Sequence, residues 1–540
     1  MSKPITGVAS RRGFIKTSAG AAGGLLLGGL PGILSARQAP AVVASDAARP
    51  TADWGLQIGD VLADRAVIWS RADRASKLIV EWSLDPSFSQ TRRIVGPHAL
   101  ATSDYTARLD LTGLPSGQDV YLRTMFQNLD DESAESEPVT GQFRTRPRRG
   151  SGVRFVWGGD TAGQGWGIDP ADGGMRCYEA MRAVDPDFFL HSGDTIYADG
   201  PMKAEVALAD GSIWRNAFLD AVPEKLKVAE TLQEYHRNYL YNLYDDNVRR
   251  FNAQVPQIWQ WDDHEVTNNW SPSKDLSANA AYTEKRVQTL VGNATKAFLD
   301  YGPMRWNSQV ESERVYRRVP YGDALDVFVL DMRSYRGPNT HNRQSTPGAE
   351  TVFLGAEQIA WLKRSLLQST ATWKVIAADM PIGLLVPDGT DAQGRTRYEA
   401  IANGDGPVLG REFEIAEILR FIKRSRIANT VWLTADVHYC AAHYYDPKSA
   451  VFQDFDPFWE FVAGPLHAGT FGPSAIDDTF GIDVVFNKAP PSGQSNLPPS
   501  ANYQFFGQVD IDARTHAMTV ALKDSTGARV YGKTLAPERR

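Results

Sequence analysis

Cysteine is nearly absent from this chain: among 540 residues there are only Cys177 and Cys440. Two thiols cannot form a disulfide framework, so the fold must rest on a buried apolar core, and the sequence leaves open whether the two pair. A long apolar run is also missing. The most apolar N-terminal stretch, Ser18 to Leu34, is short and rich in glycine, which argues against a membrane span. Basic residues do not dominate, with 57 Lys and Arg against 64 Asp and Glu and a formal charge of −7. Nonspecific nucleic-acid binding rests on clustered positive charge, so no nucleic-acid-binding patch is expected. No internal repeat is visible, which removes solenoids and propellers. What remains is a long chain with 10% aromatic residues, a composition that suits a packed globular enzyme of more than one domain.

The first 44 residues read as a targeting segment. They hold five basic residues (Lys3, Arg11, Arg12, Lys16 and Arg37) and no acidic one. Ser10-Arg11-Arg12-Gly13-Phe14-Ile15-Lys16 matches the twin-arginine export pattern, with isoleucine where leucine is commoner. Ala39-Pro40-Ala41 and Val42-Val43-Ala44 are both suitable cleavage ends. The expected partner is the twin-arginine export machinery, which carries folded proteins. The expected location is the periplasm or the exterior, with no stable membrane span after cleavage.

Residues 52–146 alternate apolar and polar positions in short runs such as Ala66–Trp69, Leu78–Trp82 and Val120–Phe126, separated by Gly, Pro, Asp and Ser. That is the spacing of an all-β sandwich. Leu114–Tyr121 followed by Arg123 resembles the strand entry of fibronectin type III-like domains. The stretch from Arg144 to Gly152 reads as a linker. From Val153 onward apolar strand runs alternate with helical patterns at Gly174–Val184, Glu224–Asn242, Ala278–Phe298, Gly355–Gln368 and Phe413–Ser425, an α/β rhythm. Asp199–Ser212, Val386–Arg395 and Pro490–Ser500 read as loops, and the tail from Tyr503 as a β meander.

Six of the apolar runs end on an aspartate: Asp160, Asp194, the pair Asp262-Asp263, Asp331, Asp379 and Asp436. Tyr197, His264 and His438 lie beside three of these ends. Sites on open α/β sheets gather at the carboxyl ends of strands. Carboxylates brought together there repel one another unless cations lie among them, so the pattern points to a polynuclear metal site.

In chain order the strand ends read GD at 159–160, GDTIY at 193–197, DDHE at 262–265, Asp379 and DVH at 436–438. This set resembles the calcineurin-like metallophosphatases, and the GDxxY element their purple acid phosphatase branch. The longer strings FLHSGDTIYADGP (189–201), WDDHEVTNNW (261–270), LDMRSYR (330–336), TADVH (434–438) and EFVAGPLHAG (460–469) resemble the alkaline phosphatase D family over nearly the whole chain. That resemblance implies an α/β (α+β) protein in three parts. A twin-arginine signal spans 1–44 and a fibronectin III-like β-sandwich 45–146. A metallophosphatase domain, with a β-sandwich core flanked by helices, spans 147–540.

The same resemblance implies roles. Asp194 is the carboxylate shared by two cations, Tyr197 the phenolate ligand of Fe(III), and His438 a further ligand on the ferric side. Asp160 completes that side, at a position where the best-known members carry cysteine. Asp263 holds the second metal, and Asp379 and Asp436 stand where purple acid phosphatases have histidines. Carboxylates in place of imidazoles favour a hard oxygen-loving cation, Ca(II) above all. His264 contacts the phosphate or protonates the leaving alkoxide. Asp262 and Glu265 are expected to orient His264. Arg333 is a candidate phosphate fork or a structural ion pair, and Asn268 and Asn269 line the site or satisfy buried backbone. The expected activity is hydrolysis of a phosphate ester by metal-activated water, as an alkaline phosphomonoesterase. The alternatives are a phosphodiesterase or phospholipase acting at the same site, and a degenerate secreted binding protein.

Overall fold

The computed structural model describes residues 46–147, 150–305 and 314–538. The export signal, with its twin arginines and both cleavage ends, lies outside the described residues. Among the described residues no helix is long and apolar enough to cross a membrane.

All six apolar runs are strands: Val153–Gly158, Phe188–Ser192, Gln257–Gln260, Leu325–Val329, Trp373–Ala377 and Thr430–Thr434. Their β-branched and aromatic side chains are buried on both faces, which is why they read as continuous apolar runs rather than as alternation. The first three pair in parallel within one sheet, and the last three in parallel within another. Parallel pairing brings the carboxyl ends of each trio, and their aspartates, to one edge.

The two sheets pack face to face. Phe155, Trp157, Leu190 and Ile258 of the first meet Val327, Val375 and Leu433 of the second in one apolar cluster. Alternate residues point the other way: Val156, Phe189 and Trp259 pack on helices Leu232–Asn242 and Val287–Tyr301. Phe328, Ile376 and Trp432 pack on helices Ala356–Gln368 and Glu412–Arg424. The result is a helix–sheet–sheet–helix sandwich, in which each fully buried large apolar side chain contributes about 1.5–3 kcal/mol. The tail meander of Phe505–Ile511, Met518–Asp524 and Arg529–Leu535 extends the first sheet beside Val153–Gly158.

The N-terminal sandwich has its own core around Ile58, Ile68, Val80, Leu122 and Phe126. One of its sheets comprises Arg92–Ala99, Ser76–Ser83, Asp119–Asn128 and Val139–Arg144, in that spatial order. The other, with Leu56–Gly59, Arg65–Arg71 and Thr106–Thr112, continues the first large sheet, because Gly59 pairs in parallel with Gln257. Trp69 and Arg108 donate from this sandwich to the carbonyls of Asp300 and Leu299 at 2.7 and 2.6 Å, seating it on helix Val287–Tyr301.

Two of the expected helices are shorter than their patterns. The 224–242 pattern breaks into a single turn at Pro223–Leu226 and a helix that begins after Thr231. Thr231 and Glu234 form a reciprocal capping box that fixes this start. The 278–298 pattern is helical only from Val287. A short helix at Asp246–Asn252, capped by Asp245, was not expected. Each of the expected loops Asp199–Ser212 and Val386–Arg395 carries the first strand of a small hairpin whose second strand lies just past the loop, Glu205–Ala207 with Ile213–Arg215 and Pro387–Thr390 with Thr396–Tyr398.

Candidate active site

Three of the strand-end aspartates leave their strands through left-handed backbone. Asp160, Asp194, Asp436 and His438 have φ of 63°, 53°, 66° and 60°, and Asn269 has 53°. Non-glycine residues rarely hold this conformation, and its strain of about 1–3 kcal/mol each is characteristic of functional sites. Glycines let the turns close. A Cβ at Gly193, where φ is 101°, would lie 2.4 Å from the Asp262 Cβ, and one at Gly163 would lie 2.0 Å from the Tyr197 ring.

Three linked groups of ligand atoms result, all from buried residues except the half-buried Asp436. Asp160, Asp194 and His438 form the first, Asp194, Asp263 and His264 the second, and Asp262, Asp263 and Asp436 the third; within each group the atoms lie within 4.8 Å of one another. Asp194 joins the first two groups and Asp263 the last two. The Tyr197 hydroxyl lies 2.9 Å from His438 Nε2, which in turn is 3.6 Å from Asp160 Oδ1. His438 Nδ1 faces the Gly469 carbonyl, so Nδ1 carries the proton and the Nε2 lone pair turns toward Asp160 and Tyr197.

The donors suit cations. Both carboxylate oxygens of Asp160 are buried without a hydrogen-bond partner, as are Asp262 Oδ2 and Asp379 Oδ1. Burial, reinforced by neighbouring carboxylates, pushes the acids of Asp160, Asp194 and Asp436 well above the usual carboxylate range. Burial likewise raises the Tyr197 phenol. Such groups become stable anions when a cation supplies the missing charge. The first group offers carboxylate, imidazole and phenol, and the third carboxylate alone.

His264 is held differently from the expectation. Its Nδ1 bonds Asp199 Oδ1 at 2.6 Å, and Asp199 Oδ2 also accepts the Asn268 backbone N–H at 2.6 Å. Asp262 and Glu265, expected to orient this histidine, act elsewhere. Glu265 accepts the backbone N–H groups of Asp194, Thr195 and Asp262 at 3.1, 2.5 and 2.8 Å, tying two strand ends together. Asp262 pairs with Arg333. Burial lowers the His264 imidazolium, but Asp199, Asp263 and Asp194 outweigh it and hold it well above the ordinary histidine range. His264 Nε2 lies 3.9 Å from Asp263 Oδ1. Asp199 sits inside the 189–201 string, two residues past Tyr197. No spacing rule marks it, because its contact depends on how the loop folds back.

Arg333 is fully buried. Its Nε donates to Asp262 Oδ1 at 2.6 Å and Asp379 Oδ2 at 3.1 Å, and its Nη1 meets Glu399. Of the two expectations for Arg333, the structure shows the ion pair. Asp379 is thereby engaged by a guanidinium and belongs to none of the three groups, whereas Asp262 belongs to one. Asp331 caps its own turn, accepting from the Arg333 and Ser334 N–H groups and from Trp261 Nε1. The Asn269 N–H bonds Asp263, and its side-chain amide donates to Asp388 Oδ1 at 2.9 Å, linking the second group to the Pro387–Thr390 strand of the rim. Lys225, 2% exposed, donates to the Tyr197 carbonyl at 3.2 Å and to Asn238 Oδ1 at 2.8 Å. His467 donates from Nε2 to the Gly167 carbonyl, a structural contact.

Comparison with known proteins agrees with this geometry. Residues 155–522 match the model of the PhoD-like phosphatase family, and residues 37–147 that of its N-terminal domain. Alkaline phosphatase D of Bacillus subtilis (strain 168) is 27% identical over 461 residues, covering 81% of this chain and 72% of the relative. The solved structure of PhoD superposes with a TM-score of 0.65 at 21% identity, over 90% of this chain and 89% of the other. A purple acid phosphatase from yellow lupin (Lupinus luteus) seeds shares the fold, with a TM-score of 0.53 and 12% identity over 90% of this chain and 74% of its own. The chain thus belongs to the PhoD-like phosphatase family and is a phosphoric ester hydrolase of the metallophosphatase type.

Proposed function

We propose that this protein is an exported alkaline phosphomonoesterase that works with Fe(III) and Ca(II). The observation that carries the metal assignment is the split in donor chemistry between the groups gathered at the carboxyl ends of the two sheets. Asp160, Asp194, Tyr197 and His438 present hard anionic oxygens and one imidazole, a set suited to Fe(III). Asp262, Asp263 and Asp436 present carboxylates alone, a set suited to Ca(II), with Asp379 beside them through Arg333. Bound cations there supply Lewis-acid stabilisation of the phosphoryl oxygens and acidify the attacking water.

The chain supplies the rest. No side chain need form a covalent intermediate. His264, its Nδ1 proton held by Asp199, presents Nε2 on the side of Asp263 and can give a proton to the leaving alkoxide. Arg333 gathers Asp262, Asp379 and Glu399 beneath the second set and keeps them from repelling one another. Asn269, pinned at Asp263 and Asp388, joins this end of the site to the Pro387–Tyr398 hairpin.

Elemental analysis of protein exported by its native host tests the metals, and near-stoichiometric iron and calcium are expected. Chelating calcium should abolish turnover, with zinc a poor substitute. Parallel kcat/KM measurements on a phosphomonoester and a phosphodiester test specificity, and a diester preference would replace the monoesterase reading. Export is tested by Arg11→Lys with Arg12→Lys, which should strand the precursor in the cytoplasm; unchanged export points to another route.

A further inference from the structure

A small cavity of about 30 Å³ lies beside the segment that carries Asp194 and Tyr197. Three parts of the chain meet there. Gln57 comes from strand Leu56–Gly59 of the N-terminal sandwich, Thr195 from the segment itself, and Tyr239 from helix Leu232–Asn242. Every residue that lines the cavity is buried, and none is an aspartate, glutamate, lysine or arginine.

Each of these three residues brings one unsatisfied polar atom. Gln57 Oε1, Thr195 Oγ1 and the Tyr239 hydroxyl have no hydrogen-bond partner among the side chains and backbone, and the residues are 1%, 5% and 3% exposed. Their other groups are engaged and hold them in place. Gln57 Nε2 donates to the Tyr301 carbonyl at 3.4 Å. The Thr195 N–H donates to Glu265 at 2.5 Å, and the Thr195 carbonyl accepts from Asn242 Nδ2 at 2.7 Å. The Tyr239 ring stacks on Tyr301 and Trp259, with centroids 5.3 and 6.1 Å away. His191, also on the wall, has neighbours of its own: its Nε2 lies 3.0 Å from Thr161 Oγ1, and the Gly193 carbonyl stands near its ring. Burying an amide oxygen and two hydroxyls without partners forfeits their hydration and gains nothing for it.

We propose that this cavity is a binding site for one or two structural water molecules that bridge the N-terminal sandwich to the Asp194–Tyr197 segment. Size and chemistry both select water. A buried water needs about 10–15 Å³ of such space, so the cavity admits one or two and is too small for a phosphate or an organic molecule. A wall without charged side chains matches no ion. Gln57 Oε1 only accepts, so its partner must donate, whereas the two hydroxyls donate or accept. A water that donates to Gln57 and bonds a hydroxyl has the partners buried waters usually have. Gln57 belongs to the sandwich and Thr195 directly follows Asp194. The sandwich therefore buttresses the ligand-bearing segment through bound solvent, whichever cations the strand ends take.

A crystal structure of the protein, at a resolution that places ordered water, tests the site. Density is expected for a water within about 3.2 Å of Gln57 Oε1 that reaches Thr195 Oγ1 or the Tyr239 hydroxyl, directly or through a second water. Tyr239→Phe keeps the ring and removes only a hydroxyl that has no other partner. In the same crystal form it should lose the water bonded there, or shift it onto Thr195, with the fold unchanged. If that variant does not fold, Thr195→Val, which keeps the side-chain shape, is read in the same way. A cavity that contains no water, or a direct bond between Gln57 Oε1 and either hydroxyl, overturns the proposal. So does a water that reaches only one side of the boundary, or one left unaltered in both variants.

Discussion

Replacing Asp199 by Asn isolates the contact that sets the state of His264. The 2.6 Å bond from His264 Nδ1 to Asp199 fixes both the ring orientation and the nitrogen that carries the proton. An Asn side chain keeps the shape, but it lacks the charge and offers an N–H where an acceptor is needed. General acid catalysis contributes roughly 10²–10⁴-fold. If the role of His264 depends on Asp199, kcat should fall by about 10²–10³, or about 3–4 kcal/mol at 1.36 kcal/mol per decade. The loss should depend on the leaving group. An alkyl phosphate, whose alkoxide needs a proton, should show the full loss, and a nitrophenyl phosphate, whose leaving group is stable as an anion, only a small part of it. The pH profile should move as well. Asp199 is the first of the carboxylates that raise the His264 imidazolium, so its removal lowers that pKa. The acid then loses its proton at lower pH, and the alkaline limb of kcat shifts toward neutrality. Steady-state kinetics on both esters across pH 6–11 decides the matter. An equal loss on both substrates with an unmoved alkaline limb would refute the proton-donor role and leave Asp199 as a purely structural tether.

Three further outcomes are expected. Tyr197→Phe should bleach any phenolate-to-iron absorption band while leaving the melting temperature nearly unchanged, whereas Asp160→Ala should lose iron and activity together; a colourless, iron-free but fully active wild type would sink the ferric assignment. Lys225→Met leaves the Tyr197 carbonyl and Asn238 Oδ1 without their donor. A loss of about 1–3 kcal/mol is expected in urea unfolding, and an unmoved midpoint would mean that the bonds contribute nothing. His191 is 1% exposed, and burial lowers its pKa to about 3, so the folded state keeps it neutral while the unfolded chain takes up a proton near 6.5. Its contribution is therefore present above pH 6.5 and is lost as pH falls toward 3, about 2 kcal/mol by pH 5. His191→Gln should unfold with less acid sensitivity over that window, and identical pH slopes for variant and wild type would contradict the assignment.

Much of this protein was legible in its sequence for a simple reason. Buried parallel strands are continuous apolar runs, and a strand that ends in glycine and aspartate at a sheet edge announces a site. The six runs therefore located the strands and the gathering of Asp160, Asp194, Asp263, Asp436, Tyr197, His264 and His438 at their carboxyl ends; that the strands divide between two sheets was not visible. Helix starts were less visible, because the turn at Thr231 is set by a reciprocal cap rather than by periodicity. Other features depended on residues far apart in the chain. Asp199 reaches His264 only because its loop folds back across the strand end, 65 positions away in sequence. Arg333 became a buried partner of Asp262, Asp379 and Glu399 because three separate connections converge beside the Asp262, Asp263 and Asp436 group. The N-terminal sandwich was legible as a sandwich, but its union with the larger sheet rests on a single parallel register, Gly59 with Gln257. Local pattern determines which residues form strands and which chemistry waits at their ends. The partner of each charge is decided by tertiary structure, because pairing depends on which distant segments burial brings within hydrogen-bonding distance.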